Sequence, residues 1–185
     1  MATPGNVTFK NTHDSWGMNW GLCDSSEQML TMQGMPWIMR KLASWISVTV
    51  VIKTWTDPET GETRFLLQHN PPMGLPGMSE ERALDYVPDE LTVPNLGKLR
   101  VRTRWGTAKE LDQLDKYLAR GLEKGPHSMI HMMTEHLDID AVTHQIFGYE
   151  EIDGTRYHVR RIVVRKGHEV ARLRLVYNYL GPRAG

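Results

Sequence analysis

Beyond residue 47 the apolar and polar positions of this chain alternate mostly with a period of two, the spacing of half-buried strands. Ser47 to Trp55 (SVTVVIKTW) is β-branched and aromatic, Asp57 to Gly61 (DPETG) supplies a turn, and Thr63 to His69 returns, so a hairpin is expected. Glu81 to Val87 and Leu96 to Trp105 read as further strands; the second sets Leu99, Val101 and Thr103 against a cationic face of Arg100, Arg102 and Arg104. A meander follows: Met129 to Leu137, Val142 to Ile152, Tyr157 to Arg165 and Glu169 to Leu180. Asp153-Gly154 is a strong two-residue hairpin signal within it. Trp16 to Cys23 reads as a first strand broken by Gly17 and Gly21, residues 1–13 as a loose arm, and Asn70 to Ser79 (NPPMGLPGMS) as a loop beside a rim.

Two stretches break the alternation. Between Trp20 and Trp45, Asp24 with Glu27 has the spacing of a capping box, Gly34 suits a helix end, and Pro36 suits the first turn of a second helix. Ile38, Leu42 and Trp45 fall on one face of that second helix. Thr107 with Glu110 is another capping box, and Leu111, Leu114, Leu118 and Leu122 form a stripe at helical spacing over 107–125, closed by Gly125-Pro126. A helical pair at 25–45 placed before a run of strands has the position of a lid.

Composition narrows the field. One domain spanning 1–185 is expected, and a formal net charge of zero argues against a nucleic-acid partner. No run of about 18 apolar residues predicts a membrane span, and no secretory signal is evident, so the expected compartment is the cytoplasm. Cys23 is the single cysteine, which excludes an intramolecular disulfide. Eleven methionines and six tryptophans against three phenylalanines suit irregular apolar space that adapts to a guest, or simply a core packed with methionine.

The chemistry is sparse. There is no G-x-S-x-G elbow, P-loop, dinucleotide fingerprint or H-E-x-x-H. Cys23 stands beside Asp24, whose charge would raise a thiol pKa. His127, His131 and His136 crowd one stretch, but on a strand His131 and His136 point to opposite faces, so no metal is expected and no cofactor is implied. His131 shares a face with Met129, Met133 and Glu135 and is a candidate polar anchor or acid–base group if that face points inward. Arg161, or Arg160 in a shifted register, is the candidate internal cation.

The run Trp20-x-Leu22, then Ser25 or Ser26, Met29, Gly34 and Arg40-Lys41-x-Ala43 resembles the start of the intracellular fatty-acid-binding proteins of the calycin (lipocalin-like) superfamily. That resemblance, clearest over 16–56 and weaker over 155–180, implies a mainly β fold: an antiparallel up-and-down barrel around a lipid cavity. Here the barrel would carry the helix-turn-helix lid and one added amphipathic helix. An NTF2-like α+β cone is the alternative. The family carries Arg-x-Tyr on its last strand to hold a carboxylate; here Tyr177 matches the Tyr, but Leu175 stands in place of the Arg. Leu173, Leu175, Tyr177 and Tyr179 share one face, so on the inward reading that clamp is gone, unless a one-residue bulge swaps the faces. Candidates to line the cavity are Trp20, Met32, Trp37, Trp55, Trp105, Met129, Met133, Tyr157, Leu175 and Tyr179, with His131, Tyr177 and Arg161 as candidate catalytic groups. The expected function is binding of a hydrophobic small molecule: a lipid, or a polyketide- or terpenoid-like guest. A cofactor-free cyclase or isomerase of pericyclase type using the same cavity is the alternative, and a structural or partner-binding role the third. The oligomeric state is left open.

Overall fold

The computed structural model describes residues 1–10, 12–43, 46–72 and 77–183. Ten strands form one antiparallel sheet: β1 (His13–Met18), β2 (Thr49–Thr56), β3 (Thr63–Asn70), β4 (Met78–Ala83), β5 (Asp89–Val93), β6 (Gly97–Trp105), β7 (Ile130–His136), β8 (Ala141–Ile152), β9 (Thr155–Lys166) and β10 (Glu169–Pro182). Their spatial order, β4-β3-β2-β1-β10-β9-β8-β7-β6-β5, is a meander that brings the last strand beside the first. The two ends meet through one corner of chain. Past β4, Asp85 bridges to Arg104 and the Tyr86 N–H bonds the Thr103 carbonyl, both on β6, before β5 pairs along the same strand. The sheet is thus curled into an antiparallel barrel, as the resemblance implies.

The turns obey local rules. Asp57 Oδ1 accepts the N–H groups of Glu59 and Thr60, and Gly61 at φ 72° completes the β2–β3 hairpin. Asp153 and Gly154, at φ 50° and 74°, form the mirror-image turn that matches strand twist between β8 and β9. Of the segment read as one strand over 81–87, only 81–83 lie in a strand, β4, and the chain turns before β5 begins at Asp89. Pro88 and the left-handed Tyr86 (φ 65°) make the corner there.

Helix α1 (Glu27–Met32) ends at Gly34 (φ 77°), and α2 (Trp37–Ala43) starts after Pro36, as the spacing predicts. The expected cap differs. Ser26 holds the N-cap position without a side-chain bond, and the Asp24 carboxylate instead accepts the Arg174 N–H at 2.7 Å, fastening the lid's entry to β10. Arg40 joins the two helices by bonding Glu27 Oε1 at 3.0 Å and the Met35 carbonyl at 2.8 Å. With six and seven residues, these helices are too short for the NTF2-like cone. The remainder of the expected lid, 44–45 with Trp45, and the centre of the rim loop, 73–76, lie outside the described residues.

The added helix is shorter than expected. Thr107 caps α3 (Ala108–Leu114), accepting the Glu110 N–H and donating to Glu110 Oε2 at 2.7 Å, but the helix stops at Asp115. That residue is extended, and its carboxylate is held by Arg165 on β9 (2.7 Å) and Arg172 on β10 (2.8 Å). Leu118 and Leu122 follow in turns and still join Leu111 over Ile146, Val159, Val163 and Val176, on the outer face of β8–β10. Leu114, the fourth residue of the expected stripe, is exposed.

The N-terminal arm is not loose. Thr3 donates to the Arg156 carbonyl at 2.7 Å, Tyr179 donates to the Met1 carbonyl at 2.9 Å, and Arg156 bonds the Pro4 carbonyl at 2.6 Å. Phe9 is fully buried, its ring stacked 4.7 Å from that of Tyr149. Together with Trp16, Phe65, Phe147 and Tyr177 it fills the barrel end opposite the lid. Truncating such an aromatic forfeits burial and leaves a cavity. Phe9→Ala is therefore expected to destabilise the protein by about 3–5 kcal/mol in urea denaturation; a change near zero would mean the arm contributes nothing.

Candidate functional site

Alternation assigns the barrel interior. Facing inward are Leu173, Leu175, Tyr177 and Tyr179 on β10, and His158, Arg160 and Ile162 on β9, fixed by the pairs Tyr177–His158, Leu175–Arg160 and Leu173–Ile162. The end closed by the arm is solid. There the His158 ring lies 5.1 Å from Trp16 and 5.3 Å from Tyr177, and its Nδ1–H donates to the Gly148 carbonyl at 3.0 Å. The lid end holds a cavity of about 160 Å³. Its walls are Leu67, Leu91, Leu96, Leu99, Val101 and Met132, and its polar groups are Gln33 of the lid with His69, Glu80, Thr134, His136, Thr143, Gln145 and Arg160.

Arg160 dominates this space. It is 4% exposed, with its guanidinium 4.8 Å from the Phe147 ring and 5.1 Å from the Tyr177 ring, both at cation–π distance. Nη1 donates to His69 Nε2 at 3.1 Å, whereas Nε and Nη2 have no hydrogen-bond partner among the described residues. Glu80, the carboxylate on the same wall, is engaged by Arg82 at 2.8 Å. Because an arginine can only donate, His69 must accept at Nε2 and carry its proton on Nδ1. Burial, then the neighbouring guanidinium, pushes the His69 pKa down to about 3, so the ring is neutral. Burial also raises the Tyr177 phenol, with Arg160 opposing, and it stays protonated. At the lid, Thr143 Oγ1 accepts from Gln33 at 3.1 Å and shares a bond with His136 Nε2 at 3.0 Å, tying α1 to the barrel wall.

Of the residues named as site candidates from the sequence, only Arg160, the shifted-register alternative to Arg161, lines this cavity directly. Met32, Trp105, Leu175, Tyr177 and Tyr179 pack in or against the interior clusters, with Tyr177 supporting Arg160 from behind and Tyr179 donating to Asp14 at 2.7 Å. His131 is on the outer face with Met129, Met133 and Glu135. There it stacks on His144 (ring nitrogens 3.1 Å apart) beneath Gly106 and α3, which removes it from any reaction inside the barrel. Arg161 also faces outward and pairs with Glu150 at 2.8 Å, so the internal cation is its neighbour Arg160. Tyr157 joins the outer cluster under α3, and Trp55 stands outside beneath Lys53. Trp20 and Trp37 are 45% and 62% exposed. The sequence reading missed His69 and His158 and weighed His136 only as a metal ligand; the available signal for His69 was its place in phase with the apolar Phe65 and Leu67 on β3.

The overall arrangement recurs in solved structures. A Schistosoma mansoni fatty-acid-binding protein in complex with arachidonic acid superposes with a TM-score of 0.58 at 10% identity, covering 94% of this chain and 99% of that one. The fatty-acid-binding protein of Drosophila melanogaster brain gives 0.58 at 10% identity, with coverage of 91% and 98%. Secretory abundant heat soluble protein 4 of Ramazzottius varieornatus gives 0.57 at 11%, with coverage of 95% and 99%. At these identities the likeness concerns the fold alone: the chain has a fatty-acid-binding-protein-like, calycin-type fold. No family model matches the sequence. A protein of Mollisia scopiformis, "Probable pericyclase scpY", is 56% identical over 182 residues, which are 98% of this chain and 96% of that protein. The chain belongs to the same family as that protein.

The neutral histidines have a consequence for stability. His69, His131 and His158 are each held down to about 3 with burial the leading cause, against an ordinary value of 6.5. Between those values the unfolded chain binds protons that the native state refuses, so stability is full above about pH 6.5 and falls as pH drops. Each such histidine subtracts about 1.4 kcal/mol per pH unit in that window. The urea midpoint is expected to fall steeply between about pH 7 and pH 5; an unchanged midpoint would mean that these rings titrate normally in the folded protein.

Proposed function

We propose that the protein is a cofactor-free pericyclase, which folds a flexible polyene inside the lid-end cavity and directs its ring closure. The observation that carries this reading is the cavity: small, with one apolar wall and unpaired hydrogen-bond donors, its one carboxylate, Glu80, being held by Arg82. An apolar cavity of ~150 Å³ takes up one benzene-sized ring, and the space here is about 160 Å³. It therefore suits a single folded ring better than an extended acyl chain. That favours the cyclase over the carrier, and the 56% identical "Probable pericyclase" supports the same choice.

In a cycloaddition within one molecule, two carbon–carbon σ bonds form as two π bonds are consumed. No proton or leaving group departs. What the protein can supply is conformation and electrostatics. Leu67, Leu99, Val101 and Met132 would press the two reacting ends together. A donor aimed at a carbonyl conjugated to one alkene would draw electron density from it and stabilise the charge that grows on the oxygen. The neutral His69 and the engaged Glu80 leave that work to hydrogen bonding.

A synthetic linear triene ending in a conjugated ketone tests this reading, with loss of diene absorbance followed by chiral chromatography of the products. Wild-type protein is expected to accelerate closure by about 10²-fold or more and to favour one stereoisomer. The rate and isomer ratio of buffer, with the triene recovered intact from the protein, would instead indicate a carrier.

A further inference from the structure

We propose that Arg160 is a two-pronged seat for a planar two-oxygen anion, so that the cognate substrate is a polyene ending in a carboxylate or in a 1,3-dicarbonyl bound as its enolate. As a statement about the substrate, this rests on the pericyclase reading; as a statement about binding, it stands on the geometry of one side chain.

A guanidinium presents its donors along distinct edges. Nε–H and one N–H of Nη2 run parallel along one side, while Nη1 lies on the other. Nη1 is the atom that His69 occupies, at 3.1 Å. The two atoms without partners among the described residues, Nε and Nη2, are the parallel pair. What remains unpaired is therefore a matched fork, buried on a residue that lines the cavity, the arrangement that takes two coplanar oxygens at once. His69 and the Phe147 and Tyr177 rings hold the plane in place.

Charge points the same way. The guanidinium is 4% exposed, and among the described residues no carboxylate lies within ion-pairing distance. A buried cation whose nearest carboxylate on the cavity wall, Glu80, is paired to Arg82 and not to it is costly, so an anion that arrives with its own two acceptors gains both the Coulomb attraction and the hydrogen bonds. A single ketone oxygen would satisfy one prong only. In the bound polyene an acyl head on Arg160 places the adjacent double bonds against Leu99, Val101 and Met132. The seat would then fix which carbons meet and polarise the alkene next to the head.

Three short dienes of equal length, small enough to fold within about 160 Å³, test the seat on the full-length protein by titration calorimetry: a carboxylate, a 1,3-diketone and the plain hydrocarbon. Wild-type protein is expected to bind at least one headed probe about 10-fold or more tightly than the hydrocarbon. The tighter of the two heads identifies the source of the anion. Arg160→Met should erase that preference while leaving hydrocarbon affinity within about twofold. Arg160→Lys, which keeps the charge without the parallel donors, should lose most of it. Equal affinity for all three probes, or a preference surviving in Arg160→Met or Arg160→Lys, overturns the seat. Triene closure is assayed in parallel. Head preference without acceleration would refute the pericyclase reading alone, and acceleration without head preference would refute the seat alone.

Discussion

A single buried guanidinium sets the terms for the interior of this barrel. Arg160 cannot shed its proton at any physiological pH, and it sits where water is largely excluded. Its surroundings each answer part of the resulting cost. Two aromatic faces supply cation–π attraction, and one neutral histidine accepts one donor. The rest of the fold keeps those three groups in place: β8 carries Phe147, β10 carries Tyr177 and β3 brings His69 across the barrel. What is left over is one buried edge without a partner among the described residues, and that remainder is where the chemistry is proposed to occur.

Rigidity at one end makes an adaptable site possible at the other. The arm seals the far end with Phe9, and the aromatic cluster around His158 leaves no room there. Outside, Leu111, Leu118 and Leu122 cover β8–β10, the strands that bear Phe147, Arg160 and Tyr177. Asp115 gathers Arg165 and Arg172, and Glu150 gathers Arg161 and Arg174, neutralising the outer cations of the same wall. The wall carrying the functional side chains is thus packed on both sides. The lid is tied more lightly, through the bonds of Gln33 to Thr143 and of Asp24 to β10, and through the packing of Met29 and Met32 on Leu173 and Leu175.

The sequence disclosed the barrel because most strands are one-sided. On β6 the split between Leu99, Val101, Thr103 and the arginines held in the structure, with the arginines outside. On the last strand Tyr177 and Leu175 share a face, as alternation required, and that face points inward. β9 was opaque for a physical reason. It is buried on both faces, from His158 through Val164, so neither face looked more internal and Arg161 was as eligible as Arg160. β7 deceived similarly: the outer His131 is as buried as an inner residue because α3 lies over it. Phe9 offered a single apolar ring in a polar arm, with no period to read. The helix over 107–125 failed beyond Leu114 because two arginines from distant strands draw Asp115 out of helical geometry, a contact that no local pattern contains.

The most direct test of this account is a crystal structure of the protein with a conjugated polyene carboxylate bound. The account predicts the chain under the lid, with both carboxylate oxygens about 2.7–2.9 Å from Arg160 Nε and Nη2 and the His69 contact retained. A ligand lying outside the barrel, or one bound inside with its carboxylate turned away from Arg160, would contradict it.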